Sequence, residues 1–433
     1  MKQVLIVSPH FPPTDAPDMH RTRLSLPHFR EFGWKATVLT VDSRCVERSQ
    51  EPRFAERLPV DTAVSRTSAF PARWTRKVGL GDVGLRAFPF LYGAGCRLIA
   101  EQSFDLVYFS TTVFTAIPLG RLWKRRFGIP LVVDIQDPWV TGYYDQHPQV
   151  RKPPKHAIAS RMHRMLEPWS MSAVDGVIAV SGGYIDDLTA RYPFLRPKPS
   201  MVLPFGAAPG DFDGVRHVPQ PNRFFDPGDG KIHVVYVGRG GQDMWPALRL
   251  VFSALRTGLS EAPELFQRLR LHFIGTDYAP PERSRKTIEP LARLLGVSGH
   301  VREHPQRIPY FEALQVLSDG NMLLLPGSDD PQYTPSKTYP YILAQKPLLA
   351  ILNEKSGACD VLRSTNAGSV ATFDPTRDAG AQAEELYRTW REMLNHLAET
   401  PQTDWQAFEK FTARAMTRQQ CDFFDRVVSL GHN

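Results

Sequence analysis

Four short stretches set charged or titratable side chains directly after apolar runs: HFPPTDAPDMHR (10–21), DIQDPW (134–139), VGRGGQDM (237–244) and PGSDDPQYTPSK (326–337). Each offers groups suited to a nucleoside diphosphate or a sugar. Arg239, in a glycine-flanked turn beside Gly238, presents a planar fork of N–H donors that matches phosphate oxygens. Lys337 supplies a second positive charge. The helix opened by TPSKTYPYILAQKP (334–347) would add free backbone N–H groups and a favourable dipole in its first turn. With Ser336 or Thr338 as its cap, Pro340 falls in that first turn, where a missing N–H has no intrahelical partner to lose. Asp137 precedes Pro138 and Trp139, so it is read either as a turn-initiating residue or as a working carboxylate. His10 and Arg21 flank the first loop. His10 is either a packed histidine or a group facing ligand oxygens, and Arg21 either contacts phosphate or steadies the loop.

These loops need strands to hold them. VLIVSP (4–9), ATVLTV (36–41), LVYFST (106–111), PLVVDIQD (130–137) and GVIAVS (176–181) read as buried strands, each followed by an amphipathic stretch. LSLPHFREFG (24–33) illustrates those helices, with Gly33 as the stop. The pattern restarts with IHVVYVGR (232–239), LRLHFIGT (269–276), NMLLLPGS (321–328) and PLLAIL (347–352). Between the two sets lies 203–230, rich in Pro, Gly and Asp, as expected of a linker. Strand–helix alternation implies parallel sheets. The expected fold is α/β, with two doubly wound Rossmann-like domains facing a cleft and ligands held outside the carboxyl ends of the strands.

A chain of 433 residues exceeds what one hydrophobic core usually serves, which agrees with two domains. The longest apolar runs fall well short of the roughly 20 residues that span a bilayer. The N-terminus ends its apolar stretch in prolines rather than a small-residue cleavage site, so a cytoplasmic protein is expected. The four cysteines, Cys45, Cys96, Cys359 and Cys421, lack metal-ligand spacing and are read as reduced thiols. Residues 1–205 carry 27 Lys and Arg against 18 Asp and Glu, whereas 206–433 carry 25 against 27, so the positive field belongs to the first half. Its densest stretch, RKPPKHAIASRMHRM (151–165), continues into a helical pattern. That pattern is either a solvated face or a surface for anionic lipid. The basic residues are not interleaved with aromatics as a nucleic-acid module requires.

In order and spacing these motifs resemble the retaining glycosyltransferases of family 4, which have the GT-B fold. HFPPTDAPDMHRTRLSLPHFREFGWKATVLT resembles the family's opening, with its Pro-Pro turn at Pro13 and an Arg, here Arg21, at the first helix. DIQDPW resembles its DxRDPW segment, VDGVIAVSGGYIDDL its VSxxxxxxL helix and LPFGAAPGDF its domain-crossing segment. VYVGRG, HFIGTD with Gly275, HVREHPQ and PSKTYPYILAQKPLLA complete the likeness. The resemblance implies an acceptor-side domain over 1–205 and a donor domain over 206–400. It also implies C-terminal helices over 401–433, the last packing back on the first domain. It assigns Arg239 and Lys337, with Gly238, Gly275 and Ser336, to the donor diphosphate, and places Asp137 close to the transferred sugar. Two glutamates usual in the family are replaced here by Gln332 and Pro340. Asp329 and Asp330 stand near enough to substitute for the first; nothing nearby substitutes for the second, which holds the ribose.

The implied activity is transfer of a sugar from a UDP-, GDP- or ADP-linked donor to a glycan or lipid-linked acceptor, with retention and without a metal or other cofactor. The place is the cytoplasm or the inner face of a membrane. Pro340 and Gln332 motivate the alternative, a GT-B protein without turnover that serves as a binding or partner subunit.

Overall fold

The computed structural model describes residues 1–140, 156–217, 219–279, 281–330, 336–374 and 376–431. They form two compact units, Met1–Gly206 with Ala413–Asn433, and Ala207–Thr412. Among the described residues no helix is long and apolar enough to cross a membrane.

The first unit is built on a parallel sheet of β1 (Lys2–Val7), β2 (Trp34–Val41), β3 (Ala63–Thr67), β4 (Leu106–Ser110), β5 (Leu131–Ile135), β6 (Gly176–Ala179) and β7 (Ser200–Val202), in the order β3-β2-β1-β4-β5-β6-β7. Every residue of β4 and β5 is buried, which is why both read as apolar runs broken only by Ser110 and Asp134. The main helices are α1 (Met19–Ser25), α2 (Val83–Glu101), α3 (Pro118–Phe127), α4 (His156–Met171) and α5 (Gly182–Arg191). The helix expected within 24–33 is displaced: α1 stops at Ser25, two residues before Pro27. A single 3-10 turn over Phe29–Phe32 follows and ends at Gly33, whose φ of 81° is the left-handed conformation that glycine adopts without strain.

The last helix of the chain, α13 (Ala413–Gly431), packs on this unit. Its Phe424 ring lies 5.4 Å from Trp34, 5.0 Å from Tyr108 and 6.4 Å from Phe29. Ser25 donates to Gln420 Oε1 at 2.9 Å.

The second unit has the parallel order β10-β9-β8-β11-β12-β13, from β8 (Ile232–Val237), β9 (Leu269–Ile274), β10 (Val301–His304), β11 (Met322–Pro326), β12 (Leu348–Asn353) and β13 (Ser369–Phe373). Its helices include α6 (Pro209–His217), α7 (Trp245–Glu261), α8 (Glu289–Leu294), α9 (Tyr310–Asp319), α10 (Thr338–Leu343), α11 (Gly357–Ser364) and α12 (Ala379–Asn395); α13 then completes the first unit. Buried Glu303 accepts backbone N–H bonds from Thr287, Ile288 and Glu289 at 2.9–3.0 Å, capping the start of α8. It also accepts from Thr276 Oγ1 at 2.7 Å, so this carboxylate ties β10 to the loop after β9.

The strands absent from the sequence reading are β3, β7, β10 and β13, and each is an edge strand. Edge strands are half-covered, so residues such as Ser65, Arg66, Arg302 and Thr372 break the apolar run.

Candidate functional site

In the second unit the strand order runs outward from β8 through β9 to β10 on one side and through β11 to β13 on the other. The reversal lies between β8 and β11, and the loops after those two strands hold the charged groups. Arg239, two residues beyond β8, donates Nη1 to Asp243 Oδ1 at 3.0 Å and Nη2 to Asp243 Oδ2 at 2.6 Å. Ser328, after β11, donates to the same Oδ2 at 2.8 Å, and the Asp329 N–H donates to the Asp243 carbonyl at 2.8 Å. The two loops are thus joined through Asp243. Burial pushes the Asp243 carboxyl up, but the hydrogen bonds and charge of Arg239, with the Ser328 hydroxyl, bring it below its usual value. Asp243 was not singled out from sequence; its four-residue offset from Arg239 was the available signal.

Lys337 reaches the same place from the far end of the β11 loop. A Cβ on Gly238 would lie 2.1 Å from Lys337 Cε and 2.6 Å from Nζ, so the lysine side chain occupies the space that glycine leaves open. Its ammonium stands 5.6 Å from the centre of the Tyr236 ring, within cation–π range. Among the described residues Lys337 has no ion-pair partner. Tyr341 of α10 anchors the arrangement, its hydroxyl accepting from Val237 N at 2.7 Å and donating to Val237 O at 3.2 Å.

The helix start differs from the expectation. Lys337 itself is the N-cap of α10, with no side-chain cap bond, and exposed Ser336 lies one residue outside. Pro340 is the third helical residue, so its missing N–H falls in the first turn. Gly275, the residue after β9, has φ 73° and donates its N–H to His304 O at 2.8 Å. Asp329 and Asp330 are exposed on the β11 loop, and Asp330 N donates to Ser328 Oγ at 3.2 Å. Desolvation, then the charges of Asp243 and Asp330, raise the Asp329 carboxyl above its ordinary value. Gln332 lies outside the described residues.

In the first unit the order reverses between β1 and β4, and again the loops after those strands meet. His10 Nδ1 bonds the two Asp18 oxygens at 2.9 and 3.2 Å, while Asp18 Oδ2 accepts from Thr111 Oγ1 at 2.9 Å and Thr112 N at 3.1 Å. Both members of the pair are buried. Burial raises the Asp18 carboxyl, yet the His10 hydrogen bond and charge, helped by Thr112 and Thr111, bring it below its usual value. Asp18 is the residue that fixes the His10 ring, and sequence alone did not single it out.

Arg21 takes the second of its two open tasks. Its Nε donates to Asp134 Oδ2 at 2.9 Å, and its Nη groups donate to Leu203 and Pro204 carbonyls at 2.6 and 2.9 Å. The arginine and aspartate side chains are 2% and 0% exposed, so this guanidinium ties α1 to β5 and to the end of the first unit. Pro13 serves the loop backbone: its carbonyl accepts from Glu51 N at 2.7 Å. Gln136 donates to Ser110 Oγ and Asp134 Oδ2, both at 3.0 Å. Asp137, one residue on, is exposed. Its carboxyl is raised because surrounding protein strips its hydration and because Asp18 is negative. Trp139 beyond it stacks on Phe114 at 5.6 Å and donates Nε1 to His163.

Comparison with known proteins follows the same division. Residues 21–206 match the family model described as "Glycosyl transferase 4-like domain". No curated protein matches the chain. Among solved structures, sucrose-phosphate synthase from Thermosynechococcus elongatus is similar over 99% of this chain and 100% of that one, at 16% identity and a TM-score of 0.59. A UDP-forming trehalose-phosphate synthase from Burkholderia xenovorans is similar over 99% of both chains, at 12% identity and a TM-score of 0.61. Anabaena HepE, solved in complex with UDP-glucose, is similar over 98% of this chain and 100% of that one, at 14% identity and a TM-score of 0.59. The chain therefore has the GT-B fold of these structures, and residues 21–206 within its first unit match a glycosyl transferase 4-like domain.

Proposed function

We propose that this protein transfers a sugar from a nucleoside-diphosphate sugar to a glycan or lipid-linked acceptor, with retention at the anomeric carbon. The observation that carries the reading is the placement of Arg239 and Lys337 side by side at the carboxyl end of β8, the lysine filling the space over Gly238. Breaking the anomeric C–O bond leaves negative charge on the departing nucleoside diphosphate, and preorganised cations there stabilise it as it forms. A guanidinium carries five N–H donors, so Arg239 can hold Asp243 and a phosphate together. Two fixed cations also provide the neutralisation that a metal ion would otherwise supply. Asp137 is assigned the acidic side chain that stands near the transferred sugar in family 4, where it would meet developing positive charge only in its ionised form; its raised pKa moves the loss of that form to higher pH than for an ordinary aspartate. HepE was solved with UDP and with UDP-glucose, which makes these the first compounds to test, before the GDP- and ADP-linked series.

Isothermal titration with UDP, GDP and ADP, followed by assay of diphosphate release from the matching nucleotide-sugars, tests the reading. Arg239→Ala and Lys337→Ala are each expected to weaken nucleotide binding roughly 10- to 100-fold, the worth of a charged hydrogen bond. Absence of binding by any of the three would remove the donor site. Binding without release of diphosphate in the presence of oligosaccharide or lipid-linked acceptors would favour the subunit without turnover.

A further inference from the structure

The helix α4 packs on the first unit through Leu166 and fully buried Met171, beside Glu167, which is 2% exposed and held by Arg191 and by the Tyr192 hydroxyl at 2.7 Å. A second set of apolar groups on α4 meets solvent, with Ile158 at 73%, Met165 at 66% and Trp169 at 39% exposure. Residues 158, 162, 165 and 169 are spaced to fall in one stripe along a helix, and an apolar stripe ordinarily faces the core. A second exposed apolar group lies on the segment 70–81, where Phe70, Trp74 and Leu80 are 49%, 61% and 44% exposed. The two groups border one cluster of contacts: Asp82, next after that segment, accepts from Thr115, Phe114 stacks on Trp139, and Trp139 donates to His163 of α4.

Charge says what would cover this face. Arg161 and Arg164 flank the stripe on α4, Arg121 lies over the Trp169 ring at 4.7 Å, and Arg73, Arg76 and Lys77 accompany Trp74. Neither 70–81 nor 156–166 contains an aspartate or glutamate. The acids beside this face, Glu47 paired with Arg76 and Asp82 accepting from Thr115, are outnumbered by its arginines and lysine, and apolar and tryptophan side chains set among such cations match a surface whose outer layer is negative and whose depth is apolar. We propose that this face of the first unit docks on an anionic lipid bilayer, with Ile158, Met165 and Trp74 entering the acyl boundary and the arginines meeting phosphate headgroups. A chain held there would meet an acceptor that is itself anchored in lipid. The docking does not depend on the sugar-transfer reading, because vesicles without donor or acceptor measure it directly.

The test is flotation of the full chain with vesicles of phosphatidylcholine alone and of phosphatidylcholine with phosphatidylglycerol. The protein is expected to float with the anionic vesicles, less so in high salt, where exposed charges are screened. Ile158→Gln with Met165→Gln, and separately Arg161→Glu with Arg164→Glu, are each expected to lower the partition by about tenfold or more. Their thermal midpoints and UDP binding should stay those of the parent, since the altered groups are exposed. No flotation, equal flotation with neutral vesicles, or undiminished flotation of both variants would overturn the proposal. So would sedimentation velocity showing a dimer that the Ile158/Met165 variant abolishes, because the stripe would then be covered by a second copy of the chain.

Discussion

At the scale of single residues, the second unit's candidate site depends on a glycine as much as on its cations. Lys337 lies where a Gly238 side chain would be, and the atoms nearest that position are the flexible end of the lysine. Gly238→Ala should therefore displace Lys337 at small cost to the fold. We expect a loss of nucleotide affinity comparable to that of Lys337→Ala, roughly 10-fold or more, with an unchanged thermal midpoint. Affinity equal to the parent's would show that Lys337 does not hold the ligand from this position. Arg21 is the contrasting case. Its pairing with Asp134 is wholly buried, so Arg21→Met leaves an uncompensated carboxylate and should destabilise the first unit by about 3–5 kcal/mol. Arg21→Met combined with Asp134→Leu should recover much of that loss, and urea unfolding of the single and double variants distinguishes this from a role in ligand binding alone.

At the scale of elements, edges and histidines decide behaviour that the apolar pattern does not show. His233 in β8 and His272 in β9 are bonded Nδ1 to Nε2 at 3.0 Å beneath the Phe225 ring. Burial, then the positive charges of His233, His304 and Arg302, lower the His272 pKa to about 3. A folded-state pKa below the unfolded value of 6.5 means that the stabilisation is fully present above pH 6.5 and is lost as pH falls toward 3. At pH 5 the loss from this group is ~2 kcal/mol. His272→Gln should flatten the fall in unfolding free energy between pH 7 and pH 5; an unchanged slope would assign the acid sensitivity elsewhere. On the other unit, Phe424 of α13 is fully buried among Phe29, Trp34 and Tyr108, and Phe424→Ala should cost about 3–5 kcal/mol in urea unfolding.

At the scale of the whole molecule, the chain builds the first unit, then the second, and then returns to the first. It leaves at Gly206 and comes back at Ala413, and a Cβ on Gly206 would lie 2.7 Å from Ala413 Cα, so the outgoing and returning strands of chain touch. The consequence is asymmetric. Residues 207–412 contain every strand of their own sheet, whereas residues 1–206 lack the helix that covers Trp34, Tyr108 and Gly176. Residues 207–412 expressed alone should fold cooperatively and bind UDP, while 1–206 alone should aggregate through that exposed aromatic surface. Circular dichroism melts of the two fragments check this, and a cooperative melt of 1–206 would show that α13 is dispensable.

The amino-acid sequence by itself determined that the chain forms two parallel α/β sheets, and it marked the loops where Arg239, Lys337, Asp137 and His10 stand. The reason is local: a strand buried on both faces is apolar at nearly every position, with Asp134 and His233 as hydrogen-bonded exceptions, so β1, β4, β5, β8 and β11 announce themselves and their trailing loops with them. Only the tertiary structure decided which side chains those residues meet. Arg21 finds Asp134 across 113 positions, Asp243 joins two loops through Ser328 across 85, and Asp18 reaches Thr111 across 93. Partners that distant are set by which strands neighbour one another, and no periodicity carries that information. The same holds for α4, whose helical pattern was visible in the sequence but not which side of it the sheet would cover.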